Sequence, residues 1–237
     1  MSAAALLMAA ANGASNGKDA FFGNVSLLLH GDGTNGSTTV PDTSGSPKTM
    51  TCHGGAQLAT AQKKFGTASI KFAAAGDTIS TPNDAAFQWG SGDFTIEAFV
   101  YPTAFTNSEG IVVGIALSGV DNLFEMWTDT SGHLKYQNHP NNLITSSSTL
   151  SLNTWQHVAV SRQGTTTRMF IDGTQVGSVA DSFAYAASPS YALAIGGDSA
   201  GASPTQFYGY VDELRLTKGF ARYTGAFTAP TAAFQDS

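Results

Sequence analysis

From Val25 onward, apolar and polar residues alternate with a period of two in short runs separated by Gly, Asp, Asn and Pro. This is the pattern of antiparallel strands that bury one face. NVSLLLH, residues 24–30, reads as a strand closed by the turn-rich GDGTNGSTT. In ASIKF, Ala68, Ile70 and Phe72 share one face and Ser69 and Lys71 the other; a turn and a short strand ending at Pro82 follow. GDFTIEAFVYP is the clearest strand: Phe94, Ile96, Ala98 and Val100 point one way, and Thr95, Glu97, Phe99 and Tyr101 the other. Aromatic rings on both sides predict that its outward face is covered as well. GIVVGIAL, LFEMW and HLKY predict a meander, and NTWQHVAVSRQ sets Val158 and Val160, with Gln156 and Arg162, against Trp155, His157 and Ala159. RMFIDGTQVG centres on Asp172-Gly173, the strongest hairpin signal in the chain. YALAIGG adds a strand, YGYVDELRLTKGFARY (208–223) supplies the last long one, and FTAPTAAFQDS reads as an irregular tail.

No apolar helical stripe of three turns survives the Gly and β-branched residues, and strands recurring every 8–12 residues or so predict a sandwich or barrel. The length of 237 residues fits one such domain. The expectation is an all-β domain over 25–237, with a short C-terminal tail, preceded by an irregular N-terminal arm over 1–24. That arm opens with an apolar run, Ala3 to Ala11, but no Lys or Arg precedes it, as a secretory signal would require. It reads instead as a small-residue arm that packs against a neighbouring subunit or particle.

Only 12% of residues are charged and the formal net charge is −6, with no strip of Lys and Arg. Nucleic acid is therefore not an expected partner. No apolar run approaches the roughly 20 residues of a spanning helix, so no membrane insertion is expected. Cys52 is the single cysteine and cannot close an intrachain disulfide.

In order along the chain, SLLLHGDGTNGSTTVPDTSG, AQKKFGTASIKF, GDTISTPNDAAFQWGSGDFTIEAFVYP, NTWQHVAVSR, FIDG and YVDELRLTKGFARYTGAFTAP resemble the laminin-G-like or concanavalin A-like jelly-roll domain. The version they resemble is the one found in virion proteins of tailed bacteriophages, with TKGFARYT particularly similar to the phage members. The resemblance implies a two-sheet antiparallel jelly-roll sandwich with the first and last strands adjacent. It also implies a non-enzymatic virion structural protein, a capsid decoration or fibre-type subunit. Such a subunit would assemble in the host cytoplasm, form a homo-oligomer and attach to other capsid or tail proteins through its arm. The alternative is a glycan-binding adhesin or lectin module for cell-surface carbohydrate.

Glucanases on this fold carry Glu-x-Asp-x-Glu on one strand, so that the acids share a face. None of Glu97, Glu109, Glu125 and Glu213 begins that pattern, and in EMWTD the acids at the two ends have the wrong spacing. There is no G-x-S-x-G elbow and no zinc spacing among the five His residues; His30 and His157 read as structural. No cofactor is required on this reading, but relatives of this kind hold structural calcium, which takes 6–8 oxygen ligands. Asp32, Asp42 and Asp212 are the candidate ligands, and turn capping by Asp32 and Asp42 is the other reading. By strand alternation Asp212 shares a face with Tyr210, Leu214 and Leu216, which makes it an inward carboxylate in need of a partner; Glu213 and Arg215 would pair on the opposite, outer face. For glycan binding, Trp127, Tyr136, Asn138 and His139 have the right chemistry, while Trp127 and Tyr136 could equally be paired core aromatics.

Overall fold

The computed structural model describes residues 18–115, 124–138, 141–185, 191–198 and 205–237. Fifteen strands are described: β1 (Val25–Leu29), β2 (Thr51–His53), β3 (Gln57–Ala59), β4 (Ser69–Phe72), β5 (Thr78–Thr81), β6 (Phe94–Ala104), β7 (Gly110–Gly114), β8 (Phe124–Thr128), β9 (His133–Asn138), β10 (Asn141–Thr149), β11 (Gln156–Gln163), β12 (Thr166–Ile171), β13 (Thr174–Ala180), β14 (Leu193–Ile195) and β15 (Tyr208–Lys218). The described helical elements are two short 3-10 turns, Phe22–Asn24 and Ala85–Phe87.

The strands form two antiparallel sheets. The eight-stranded sheet runs β13-β12-β11-β6-β15-β4-β3, with β1 also paired to β15, and the seven-stranded sheet runs β10-β9-β8-β7-β14-β5-β2. The expected adjacency of first and last strands is present, Leu29 lying opposite Leu214. Alternation places Ile96, Ala98, Val100, Val158 and Val160 of one sheet and Val113, Met126, Leu134 and Ile195 of the other in the shared core, where all are buried. Burying such side chains contributes about 1.5–3 kcal/mol each and drives the sheets together.

The hairpin signal at Asp172-Gly173 corresponds to the turn between β12 and β13, and both residues have positive φ, 48° and 79°. A Cβ at Gly173 would lie 1.9 Å from the Phe227 carbonyl oxygen, so only glycine admits the tail that crosses there.

The tail is irregular but belongs to the domain. From β15 it crosses the outer face of the eight-stranded sheet, with Arg222 N–H donating to Thr95 Oγ1 and Tyr223 N–H to Ser161 Oγ. It reaches the hairpin, where Phe227 N–H donates to Gly173, and returns to β15, where Phe234 N–H donates to Glu213. Asp19 N–H donates to the Ser237 carbonyl at 2.8 Å. Asp19 to Asn24 are thus built into the domain, ahead of the boundary expected after residue 24; residues 1–17 of the arm lie outside the described residues.

β15 does not keep strict alternation. Asp212 lies opposite Phe99 and Arg215 opposite Glu97, so Glu213 and Leu214 together face Ala98. Glu213 takes φ 51°, the left-handed region, which marks this β-bulge. The extra residue turns Asp212 to the outer face while Val211, Leu214 and Leu216 stay in the core. This corrects the inward placement of Asp212.

Candidate binding faces

On the outer face of the eight-stranded sheet the bulge gathers a buried polar network. Arg215 Nε and Nη2 donate to Glu97 Oε1 at 2.9 and 2.8 Å. Tyr223 Oη donates to Glu97 Oε2 at 2.6 Å, and His157 Nε2 lies 3.2 Å from the same oxygen. Asp19 accepts from Arg215 Nη1 at 3.1 Å and from Arg222 Nη2 at 2.6 Å, and Arg222 Nε donates to Thr217. All seven residues are at most 5% exposed. Two carboxylates balance two guanidinium groups, which is the condition for burying charge at tolerable cost. Burial alone would raise the Glu97 carboxyl, but Arg215, His157 and Arg222 overcome this and hold it well below the usual carboxylate range. The Arg215 guanidinium also stacks over Phe234 of the tail at 3.8 Å. The expected surface pair of Glu213 with Arg215 is therefore replaced: Glu213 accepts from His30 Nδ1 at 2.9 Å and from Phe234 N–H at 2.8 Å, and it is 1% exposed.

The three aspartates proposed for calcium are each engaged by protein donors, Asp32 and Asp212 on the same loop. Asp42 is fully used by four donors: Leu28 N–H, Ser44 N–H, Ser44 Oγ and Lys48 N–H, at 2.7–3.0 Å. Asp32 accepts from Thr67 N–H and Oγ1. Asp212 Oδ2 accepts from Lys64 and Phe65 N–H at 2.6 and 3.2 Å, while its Oδ1 is buried without a partner. Among the described residues no group of three His, Cys, Asp or Glu side chains could hold a metal ion. Each of these aspartates staples a loop through backbone N–H groups, and the set does not fit calcium. Burial raises the Asp212 carboxyl to about 7, against the lowering effect of those N–H groups.

The outer face of the seven-stranded sheet is organised by the hairpin β8–β9, whose residues pair across the strands in register: Glu125 with Gln137 and Trp127 with Lys135. Beyond the strand ends Asp129 continues the ladder to His133, Nδ1 at 3.4 Å, and to Lys135 Nζ at 3.3 Å. Lys135 Nζ lies 5.0 Å over the Trp127 ring, whose other neighbour is Ile111. Gln137 Nε2 donates to Glu125 Oε2. Gly114 lies opposite Glu125, and a Cβ there would come within 2.9 Å of Glu125 Cγ, so the glycine makes room for the carboxylate. Burial, reinforced by Glu109 and Asp198, pushes the Glu125 carboxyl up to about 7 although Gln137 opposes the shift. Trp127 Nε1 is buried with no hydrogen-bond acceptor.

Among the described residues expected to bind a glycan, Trp127 alone stands on this outer face. Tyr136 is buried in the core against Phe94 and Tyr185, which corrects its assignment as a contact residue. Asn138 lies opposite Phe124, on the core side, and is 3% exposed. His139 lies outside the described residues. Glu125, Lys135 and Gln137 join Trp127 on this face beyond what the sequence pattern indicates, although the period-two spacing of Glu125, Trp127 and Asp129 places those three on one side of the strand.

The family model described as the concanavalin A-like lectin/glucanases superfamily matches residues 73–220, more than half of the chain. None of the curated proteins compared by sequence matches it. Among solved structures, domain 4 of AbnA, an extracellular GH43 arabinanase from Geobacillus stearothermophilus, in complex with arabinotriose, aligns with TM-score 0.62 and 17% identity, covering 84% of this chain and 94% of that one. The Botulinum neurotoxin serotype D binding domain aligns with TM-score 0.63 and 14% identity, covering 85% and 49%. Trypanosoma rangeli sialidase in complex with sialic acid gives 0.60 and 15%, covering 84% and 32%. The chain spans about half the length of the toxin binding-domain structures that it matches. At these identities the likeness is one of fold.

Proposed function

This chain belongs to the concanavalin A-like lectin/glucanases superfamily, and on that footing we propose that it is a non-catalytic carbohydrate-binding domain. The observation that carries this reading is the β8–β9 ladder. It lines up the indole of Trp127, the amide of Gln137 and the carboxyl of Glu125, each at most 5% exposed, with the half-buried ammonium group of Lys135 on an outer sheet face, and the buried Trp127 N–H has no acceptor among the described residues. A sugar presents an apolar C–H face and hydroxyls that both donate and accept. An aromatic ring flanked by amide and carboxyl groups is complementary to both. Glycoside hydrolysis needs two carboxyl groups about 5–9.5 Å apart across the scissile bond. Here Glu97 is locked to Arg215 under the tail, and Glu125 is held by the Gln137 amide across the strands, with Glu109 and Asp198 as its acidic neighbours.

A glycan array followed by titration calorimetry tests the reading. The expected outcome is saturable binding of at least one glycan, weakened about tenfold or more by Trp127→Ala, with no release of reducing ends from the bound glycan. Tyr136→Phe, in the core, leaves the affinity unchanged. Absence of any saturable glycan, or indifference of binding to Trp127→Ala, overturns the assignment.

The resemblance of TKGFARYT (217–224) to phage members supports a setting for this module: display on a bacteriophage virion, with residues 1–17 as the attachment to capsid or tail. Particles assembled with a chain that starts at Lys18 are expected to lack the protein. Incorporation at wild-type level would remove the virion reading without touching carbohydrate binding.

A further inference from the structure

The tail and the Lys64-Phe65 loop cover the outer face of the eight-stranded sheet only as far as Phe99, which Phe65 meets edge-on at 5.3 Å and Lys64 Nζ at 5.0 Å. One row further along, the residues on the outer face are half-buried. There Trp155, just before β11, packs on Tyr101 of β6 at 5.4 Å, and Tyr101 packs on Tyr210 of β15 at 5.8 Å. Register extends the row to Lys71 on β4 and Gln57 on β3. All five residues are half-buried. The loop that brings Trp155 to Tyr101 is held by Asn153 N–H on the Pro102 carbonyl, and it carries Leu152, the one exposed large apolar side chain among the described residues. Trp155 Nε1 is buried without an acceptor.

Rings on neighbouring strands repeat at roughly the strand spacing of 4.8 Å, so the row runs across the strands as a narrow aromatic track. Trp and Tyr side chains offer rigid apolar faces with a polar tip at low entropic cost. Here the track ends in one amide and one ammonium group. We propose that Trp155, Tyr101 and Tyr210 form a second carbohydrate site, on the opposite sheet from the β8–β9 ladder, which holds a neutral polysaccharide chain laid across the strands. Because the Trp155 and Tyr210 rings are inclined to Tyr101 by 55° and 80°, the chain that fits is a twisted one whose sugar rings meet the three aromatics in turn, and Lys71 and Gln57 donate to hydroxyls at one end. This inference rests on the carbohydrate-binding reading but not on the ladder. A short, open track with two tyrosine hydroxyls suits a chain with polar edges.

Affinity electrophoresis of the full chain through gels containing arabinan, xylan, laminarin or mixed-linkage β-glucan tests it. At least one polymer is expected to retard the wild type, with the apparent affinity falling about tenfold in Trp155→Ala and in Tyr210→Ala. Tyr136→Phe, in the core, is expected to retain retardation. Trp155→Phe preserves the stack in case the alanine variants fold poorly; it should bind within a few-fold of wild type and lose the change in tryptophan fluorescence on titration. In a Trp127→Ala background, which removes the ladder's own binding and fluorescence, retardation that survives Trp155→Ala and Tyr210→Ala in folded protein, or a fluorescence change that persists in Trp155→Phe, overturns the track. So does a protein that no polymer retards but that binds a glycan through Trp127, an outcome that leaves carbohydrate binding intact. Failure of both the gels and the array removes both readings together.

Discussion

On one sheet Glu97 meets Arg215, Tyr223 and His157 beneath a lid of tail residues; on the other, Glu125 meets an amide, and the indole beside it has an unused N–H. The same residue type, buried in both places, is pulled below the ordinary carboxylate range in the first and pushed up to about 7 in the second. Burial raises both; guanidinium groups reverse it for Glu97, whereas Glu109 and Asp198 add to it for Glu125. A carboxylate whose charge is matched within the protein belongs to the fold. One whose charge is left unmatched, beside an unpaired donor, is where a ligand has something to contribute.

The largest expected effect breaks the matched side. Arg215→Met leaves Glu97 and Asp19 short of a buried cation, so it should cost about 3–5 kcal/mol in urea unfolding near neutral pH. Glu125→Gln, equally buried on the other sheet, should cost nothing and should stabilise the protein at pH 8. Equal losses from the two would mean that both acids are structural. Asp19→Ala should cost about 3 kcal/mol for the same reason. A chain starting at Lys18 should unfold at the wild-type denaturant concentration, whereas one starting at Val25 should not, because it lacks the carboxylate that meets Arg215 and Arg222.

The two sheets should also separate in pH. Glu125 rises from an ordinary value of 4.5 to about 7, so the folded state binds more protons than the unfolded chain between those values. Stability therefore falls as pH rises through that window, by at most about 3 kcal/mol. Asp212, raised from 3.8 to about 7, has the same sign over an overlapping window. Glu97 has the opposite sign: its contribution is present above 4.5 and is lost as pH falls below that value. Melting temperature followed from pH 3 to 8 should pass through a maximum in the acidic range. Glu125→Gln should flatten the descent on the alkaline side and leave the acid limb unchanged.

Strand periodicity carried the two-sheet fold, the hairpin at Asp172-Gly173 and even the cover over Phe99 and Glu97, because each is written in neighbouring residues. β10 was not legible: NNLITSSST offers only Leu143 and Ile144 as apolar positions and forms a strand because β9 supplies its partner. The bulge at Glu213 was not legible either, since nothing local marks a glutamate for left-handed backbone, and that one residue inverts the facing of Asp212. The polar network joins Asp19, Glu97, Arg215 and Arg222, whose proximity exists only after the tail has crossed the sheet. Tyr136 looked like a glycan contact because composition does not report which side of a strand is inside.

The smallest effect sharpens the contrast further, because both faces carry a cation over an aromatic ring: Arg215 over Phe234 and Lys135 over Trp127. Lys135 keeps its charge partly in water, with Nζ 3.3 Å from a similarly accessible Asp129. That pair and the ring contact are together worth about 0.5–1 kcal/mol. Lys135→Met should therefore lower stability by no more than that in dilute buffer, and the difference should shrink toward zero in 1 M salt, where the Debye length is about 3 Å. The Arg215→Met deficit should hardly change with salt, because its partners are desolvated and counterions do not reach them. If Lys135→Met weakens glycan binding more than it weakens the fold, its ammonium group serves the ligand rather than the sheet; a salt-insensitive loss of stability would place Lys135 with Arg215, among the charges the fold keeps for itself.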